Sequence, residues 1–148
     1  MRKMVTVTIS LCAALMVSAA HAQIAVEEAW IRATPPGATT AAGYLIIRAD
    51  SADRLLSVTS PAAQRVETHI TVHEGDVARM REVKGYDVPA NGTLELKPGG
   101  AHLMFINIKA PMKEGMTVPA TLKFQRVGDF NVDFQVRPLV PGGEHHGH

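Results

Sequence analysis

The sequence predicts an all-β protein of the sandwich or Greek-key barrel class, with about eight to nine strands. Three observations carry this. Short apolar runs recur at roughly even spacing, clusters rich in Pro, Gly and Asn separate them, and no convincing helical segment appears beyond residue 22. At 148 residues with 46% apolar composition, the chain is long enough for one domain with a real core.

The elements follow in order. Ile24 to Arg32 (IAVEEAWIR) is the first strand, and Pro35-Pro36-Gly37 ends it because neither proline can donate to a ladder. Ala41 to Arg48 and Arg54 to Val58 are the second and third, with Ser60-Pro61 as a turn. Arg65 to Val72 and Val77 to Val83 are paired across a four-residue loop, His73-Glu74-Gly75-Asp76. Pro89-Ala90-Asn91-Gly92 turns the chain into Thr93 to Leu96, and Pro98-Gly99-Gly100 breaks it again. Ala101 to Ile108, Thr117 to Gln125 and Phe130 to Val136 complete the set.

Residues 1–22 read as a secretory signal peptide. Arg2 and Lys3 precede a mostly apolar stretch, and Ala20-His21-Ala22 is an A-x-A cleavage site. Cleavage before Gln23 takes 22 residues from 148 and leaves 126. The leader holds two of the 15 basic residues and none of the 14 acidic ones, so the exported chain carries a net charge of −1. Such a balance gives no electrostatic case for nucleic acid or an anionic membrane. No apolar run reaches the length of a membrane span. The only cysteine, Cys12, lies in the leader, so the exported chain has no disulfide, thiol nucleophile or thiolate ligand. No nucleophile with its base, P-loop or dinucleotide glycine pattern occurs, and no enzymatic chemistry is expected. Residues 23–140 are expected to form the folded domain. Residues 141–148 (PGGEHHGH) are expected to form a flexible His-rich tail.

The chemistry gathers between Glu67 and Met104. In Arg65 to His73 the apolar residues Val66, Ile70 and Val72 alternate with polar ones, which puts His69 on the polar face. Pairing Val72 with Val77 sets His69 opposite Met80, about 5 Å apart at Cβ, and Glu67 opposite Glu82. His102 and Met104 are separated by one residue, so on a strand they share a face, about 6.6 Å apart along the backbone. Together they offer two imidazoles and two thioethers. Neutral, soft thioethers suit Cu(I) and disfavour Mg, Ca and Mn; zinc usually recruits Cys, His or carboxylate, and a blue-copper centre needs a thiolate. Each side chain also has an ordinary reading, since a Met on a strand commonly fills core and a His commonly sits on the surface.

The pattern His69, ten residues, Met80, twenty-one residues, His102, one residue, Met104 resembles that of the PCuAC family of periplasmic copper(I) chaperones. The surrounding sequence resembles it too, in Ala29-Trp30-Ile31-Arg32-Ala33-Thr34-Pro35-Pro36-Gly37, Ala42-Gly43-Tyr44-Leu45, Leu96-Lys97-Pro98-Gly99-Gly100 and Lys113-Glu114-Gly115 with Thr117-Val118-Pro119. The resemblance covers nearly all of the exported chain. It implies a cupredoxin-like β-sandwich in the periplasm and an exposed Cu(I) site made by His69, Met80, His102 and Met104. It further implies delivery of copper toward the binuclear copper centre of cytochrome c oxidase, alongside Sco-type proteins. A monomer is expected, with an oxidase subunit or a Sco-type protein as the copper acceptor.

Met112 and Met116 depart from the family pattern; they are expected to be a core residue and a loop variant respectively, ahead of the alternative that they are auxiliary copper ligands or transfer contacts. The tail residues His145, His146 and His148 suit Cu(II), Ni(II) or zinc, and so offer a second, Cu(II) site beside the reading as a solubilising tail. His73 lies about 13 Å from His69 along a straight strand, too far for one coordination shell, and is expected in the hairpin loop. Trp30, beside Arg32, is expected to be buried, and Glu27 and Glu28 alternate across a strand. Two other functions remain open on these residues: copper scavenging or tolerance without a dedicated acceptor, and a β-sandwich interaction module with its Met residues in the core.

Overall fold

The computed structural model describes residues 21–138, which form ten strands and no helix. Residues 1–20 of the leader with Cys12, and the tail with His145, His146 and His148, lie outside the described residues. In chain order the strands are β1 (Ile24–Arg32), β2 (Thr40–Ala49), β3 (Asp53–Thr59), β4 (Ala63–Glu74), β5 (Val77–Glu82), β6 (Tyr86–Val88), β7 (Gly92–Leu96), β8 (His102–Ile108), β9 (Thr117–Phe124) and β10 (Gly128–Arg137). No helix among the described residues is long and apolar enough to cross a membrane.

Seven strands close a ring in the order β4-β8-β2-β1-β10-β9-β3, and β3 returns to β4 through the pair Val58↔Val66. Closure removes the unpaired edges that an open sheet presents. β1 and β10 run parallel and the other pairs antiparallel, which gives the cupredoxin-like barrel. β5, β6 and β7 attach outside the ring, to β4, β3 and β2. Nine of the ten strands correspond to runs legible in the sequence. The additional one, β6, has three residues between Gly85 and Pro89, too few to show a period.

Alternation along each strand builds the core. Ile31, Leu45, Ile47, Leu55, Leu103, Phe105, Leu122 and Phe134 are fully buried, with Phe105 edge-on to Phe134 at 5.7 Å between ring centroids. Met112 is 1% exposed within this core, as expected, and Met116 sits in the β8–β9 connection with its sulfur accepting from Lys113 N.

The β4–β5 hairpin differs from the expected one. Glu74 pairs with Val77, so the loop is two residues, Gly75 and Asp76, rather than four. Gly75 has φ 64 while Asp76 stays at negative φ, which is the pattern of a II′ turn. His69 therefore faces Glu82 and Met80 faces Thr71. The slip is two residues, and side chains alternate with period two, so His69 and Met80 keep a common face as diagonal neighbours. Glu67 lies opposite Met104, and the expected Glu67–Glu82 repulsion does not arise. His73 is a strand residue opposite Ala78, not a loop residue.

Candidate metal centre

The site is built where β4 meets β8. These strands are distant in sequence, and their register sets His69 directly opposite His102 and Glu67 opposite Met104. The two imidazoles face each other with ring centroids 5.5 Å apart and planes at 57°. Beneath them the Tyr86 hydroxyl is shared between the carbonyls of His69 and His102, at 2.5 and 2.8 Å. Burial pushes its pKa up to about 12, so it stays a protonated donor and ties the strands together at the histidine pair.

Each imidazole has one nitrogen fixed. His69 Nε2 lies 2.8 Å from Glu67 Oε2. An ionised carboxylate only accepts, so Nε2 carries the proton and Nδ1 the lone pair. His102 Nδ1 lies 3.0 Å from the Gly100 carbonyl, which likewise only accepts, so Nε2 carries the lone pair there. Those two nitrogens, His69 Nδ1 and His102 Nε2, are the buried side-chain polar atoms without a hydrogen-bond partner among the described residues. An orphaned buried acceptor costs about 1–3 kcal/mol, which a metal ion at the site would offset. Glu67 also receives Arg65 at 2.8 Å. The bond from His69 first, then that from Arg65, holds its carboxyl below the usual range.

The thioethers approach from opposite sides. Met104, half-buried, is level with Glu67; Met80, 65% exposed, is level with Thr71 on the outer strand β5. Met80, His102 and Met104 line one surface cleft of about 300 Å³, together with Tyr44, Arg32 and His73. His69 does not line that cleft; it lies behind, against His102. Among the described residues no three His, Cys, Asp or Glu side chains converge, so a metal held here needs the sulfurs. Two lone-pair imidazole nitrogens beside two thioethers form a neutral, soft donor set of the type that suits Cu(I).

Sequence reasoning singled out both histidines and both methionines as candidates but named neither Tyr86 nor Glu67 beside them. Tyr86 lies on the short β6 and carries no pattern. Glu67 shares the polar face of β4 two residues before His69, and that spacing was the available signal. Trp30 is not buried in the core as expected. It is half-exposed on the outer face, tilted at 38° against Tyr44 with ring centroids 4.6 Å apart.

Fold and site geometry together place the molecule in the class of PCuAC domains. The copper-bound PCuAC domain from PmoF2 is 27% identical, with a TM-score of 0.68 over 78% of this chain and 93% of that one. The solution structure of CuI-DR1885 from Deinococcus radiodurans is 32% identical, with a TM-score of 0.61 over 76% of each chain. Residues 24–136 match the family of putative LpqE-like lipoproteins, and the chain belongs to that family. A putative lipoprotein of Leifsonia xyli subsp. xyli, Lxx21020, is 35% identical over 102 residues, which span 68% of this chain and 61% of that protein. The resemblance to PCuAC domains and the all-β, cupredoxin-like class are both borne out.

Proposed function

We propose that the chain is an exported copper chaperone. It takes Cu(I) on His69 Nδ1, His102 Nε2 and the sulfurs of Met80 and Met104, and gives it to an acceptor by ligand exchange. The observation that carries this is the pair of orphaned nitrogens, set side by side by the β4–β8 register and each made a lone-pair donor by its own hydrogen bond. The names of the structural neighbours, a copper-bound PCuAC domain and CuI-DR1885, support the choice of metal. The exposed Met80 gives an incoming ligand a place to begin, because a weak thioether at the surface can be replaced first.

In this reading residues 1–22 are cleaved on export to the periplasm, residues 23–140 act as a monomeric copper-binding domain, and the cytochrome c oxidase copper centre or a Sco-type protein receives the ion. The reaction moves an ion and changes no covalent bond, so the protein is not an enzyme. Anaerobic titration tests the site. Wild-type protein is expected to bind one Cu(I) stoichiometrically, and His102→Ala with Met104→Ala to lose that binding while remaining folded by circular dichroism. Undiminished stoichiometric binding in the folded double variant would sink the assignment. Oxidase activity of a deletion strain in low copper tests delivery, with normal activity favouring scavenging. Cu(II) titration of full-length and tail-truncated chains tests a second site at His145, His146 and His148.

A further inference from the structure

The outer face that carries the metal site continues across β2, β1 and β10. Tyr44 pairs with Trp30, Trp30 with Gln135, and Arg32 with Arg137. Arg137 lies over the Trp30 ring at 5.4 Å. Trp30, Arg32, Arg137 and Pro138 line a cavity of about 330 Å³ that adjoins the metal cleft through Arg32. Burial raises the Tyr44 pKa and Arg32 draws it back, which marks the guanidinium as close to that ring.

Among the described residues neither Arg32 nor Arg137 makes an ion pair, and neither guanidinium is hydrogen-bonded; Arg48, Arg54, Arg65 and Arg79 each have a carboxylate, Arg126 reaches the Ala52 carbonyl, and Arg81, also without a contact, lies alone on β5 with the parity opposite to Met80. Two guanidiniums side by side with no counter-charge among the described residues are not general basicity, because the whole chain is at +1. They belong to one place: Arg32 is two strands from Met104 and Arg137 three, about 10 and 14 Å at strand spacing. A stable partner covers about 800 Å² on each side, a patch of about 16 Å radius. An acceptor that reaches the cleft to exchange ligands must therefore also lie over Arg32 and Arg137. Covering two charges without counter-charges is unfavourable.

We propose that the face formed by Trp30, Tyr44, Arg32 and Arg137 is the docking surface for the copper acceptor, and that it selects an acceptor whose metal-binding thiols are flanked by carboxylates. This rests on the copper-transfer reading above. Half-exposed Trp30, tilted at 38° against the buried Tyr44, supplies an aromatic surface of the kind enriched at interface centres. Arg137, already laid over Trp30, loses little freedom when a carboxylate reaches it.

The test uses the full chain and three synthetic peptides: a two-cysteine peptide flanked by Asp, the same peptide with Asn for Asp, and the acidic peptide with Ser for both Cys. Trp30 is the only tryptophan, so its indole N–H resonance is a single reporter. The Cys-free acidic peptide is expected to shift that resonance saturably in metal-free protein. The shift should weaken as salt rises, as expected for screened charges. Arg137→Gln should lose it and Arg137→Lys should retain it in part. Cu(I) transfer to the acidic dithiol peptide should run roughly tenfold faster than to the Asn peptide, in the range of electrostatic steering. In Arg137→Gln that ratio should fall toward one with Cu(I) affinity unchanged. Equal shifts and rates for acidic and neutral peptides overturn the proposal. So does tighter peptide binding after deletion of residues 139–148, which would assign the face to the chain's own tail. Absence of the shift in a protein that binds Cu(I) normally overturns the docking face alone. The shift without any Cu(I) binding overturns the copper reading and, with it, the nature of the acceptor.

Discussion

Glu67 decides which nitrogen of His69 carries the proton. Its carboxylate holds the Nε2 proton, and the lone pair is left on Nδ1 next to His102. Glu67→Ala should release the ring and lower Cu(I) affinity about 10- to 100-fold, the usual cost of losing a carboxylate that orients a ligating imidazole. Glu67→Gln, whose amide oxygen still accepts, should recover part of this. Competition against a chromophoric Cu(I) chelator measures the affinity, and histidine nitrogen shifts report the tautomer. An unchanged His69 tautomer in Glu67→Ala would count against the role. The pH response follows from the same pair. The Glu67 pKa is lowered on folding, so its contribution to stability is present above the ordinary carboxyl value of about 4.3 and is lost as pH falls through the lowered one. The brace therefore outlasts mild acid. Cu(I) affinity should still fall between neutral pH and about pH 5, because an imidazole must be unprotonated to ligate and protons compete with the metal for it. A profile that stays flat over that interval would exclude two imidazole ligands.

At the scale of elements, the β4–β5 hairpin brings Met80 to the site from the barrel's outer edge. Every residue of β5 is exposed, so Met80 contributes little packing. Met80→Ala should change stability by less than about 0.5 kcal/mol, the range of surface substitutions. It should nonetheless weaken Cu(I) binding and lose one sulfur from the X-ray absorption spectrum of the copper complex. Full affinity with the sulfur count intact would place another donor there. The hairpin also marks the limit of what the sequence shows. The shared face of His69 and Met80 was legible, because period-two alternation fixes parity. The pairing partner was not, because it depends on the turn, and Gly75 at φ 64 selects a two-residue loop over a four-residue one. The meeting of His69 with His102 was equally hidden. It depends on β4 lying beside β8, a pairing across about thirty residues that no local pattern encodes.

For the whole molecule, alternating runs made the all-β class and most of the core readable, while the closing of the ring through Val58↔Val66 was not. Closure makes the barrel a rigid frame in which the site occupies one side of the wall. Leu122, fully buried on β9, pairs with Phe130 and Val58 and lies on neither strand that bears the histidines. Leu122→Ala should therefore destabilise by about 2–5 kcal/mol through lost burial and the cavity left behind. At a temperature where the variant is still folded, it should bind Cu(I) with wild-type stoichiometry and affinity. Sites without shared partners add, so Leu122→Ala combined with Met80→Ala should show the stability loss of the first and the affinity loss of the second, each within about 0.5 kcal/mol. Denaturant unfolding and chelator competition on the four proteins measure both axes. A Leu122→Ala protein that is folded yet weak for Cu(I) would show that the core and the metal site are coupled, and that the site depends on the whole barrel rather than on the β4–β8 seam.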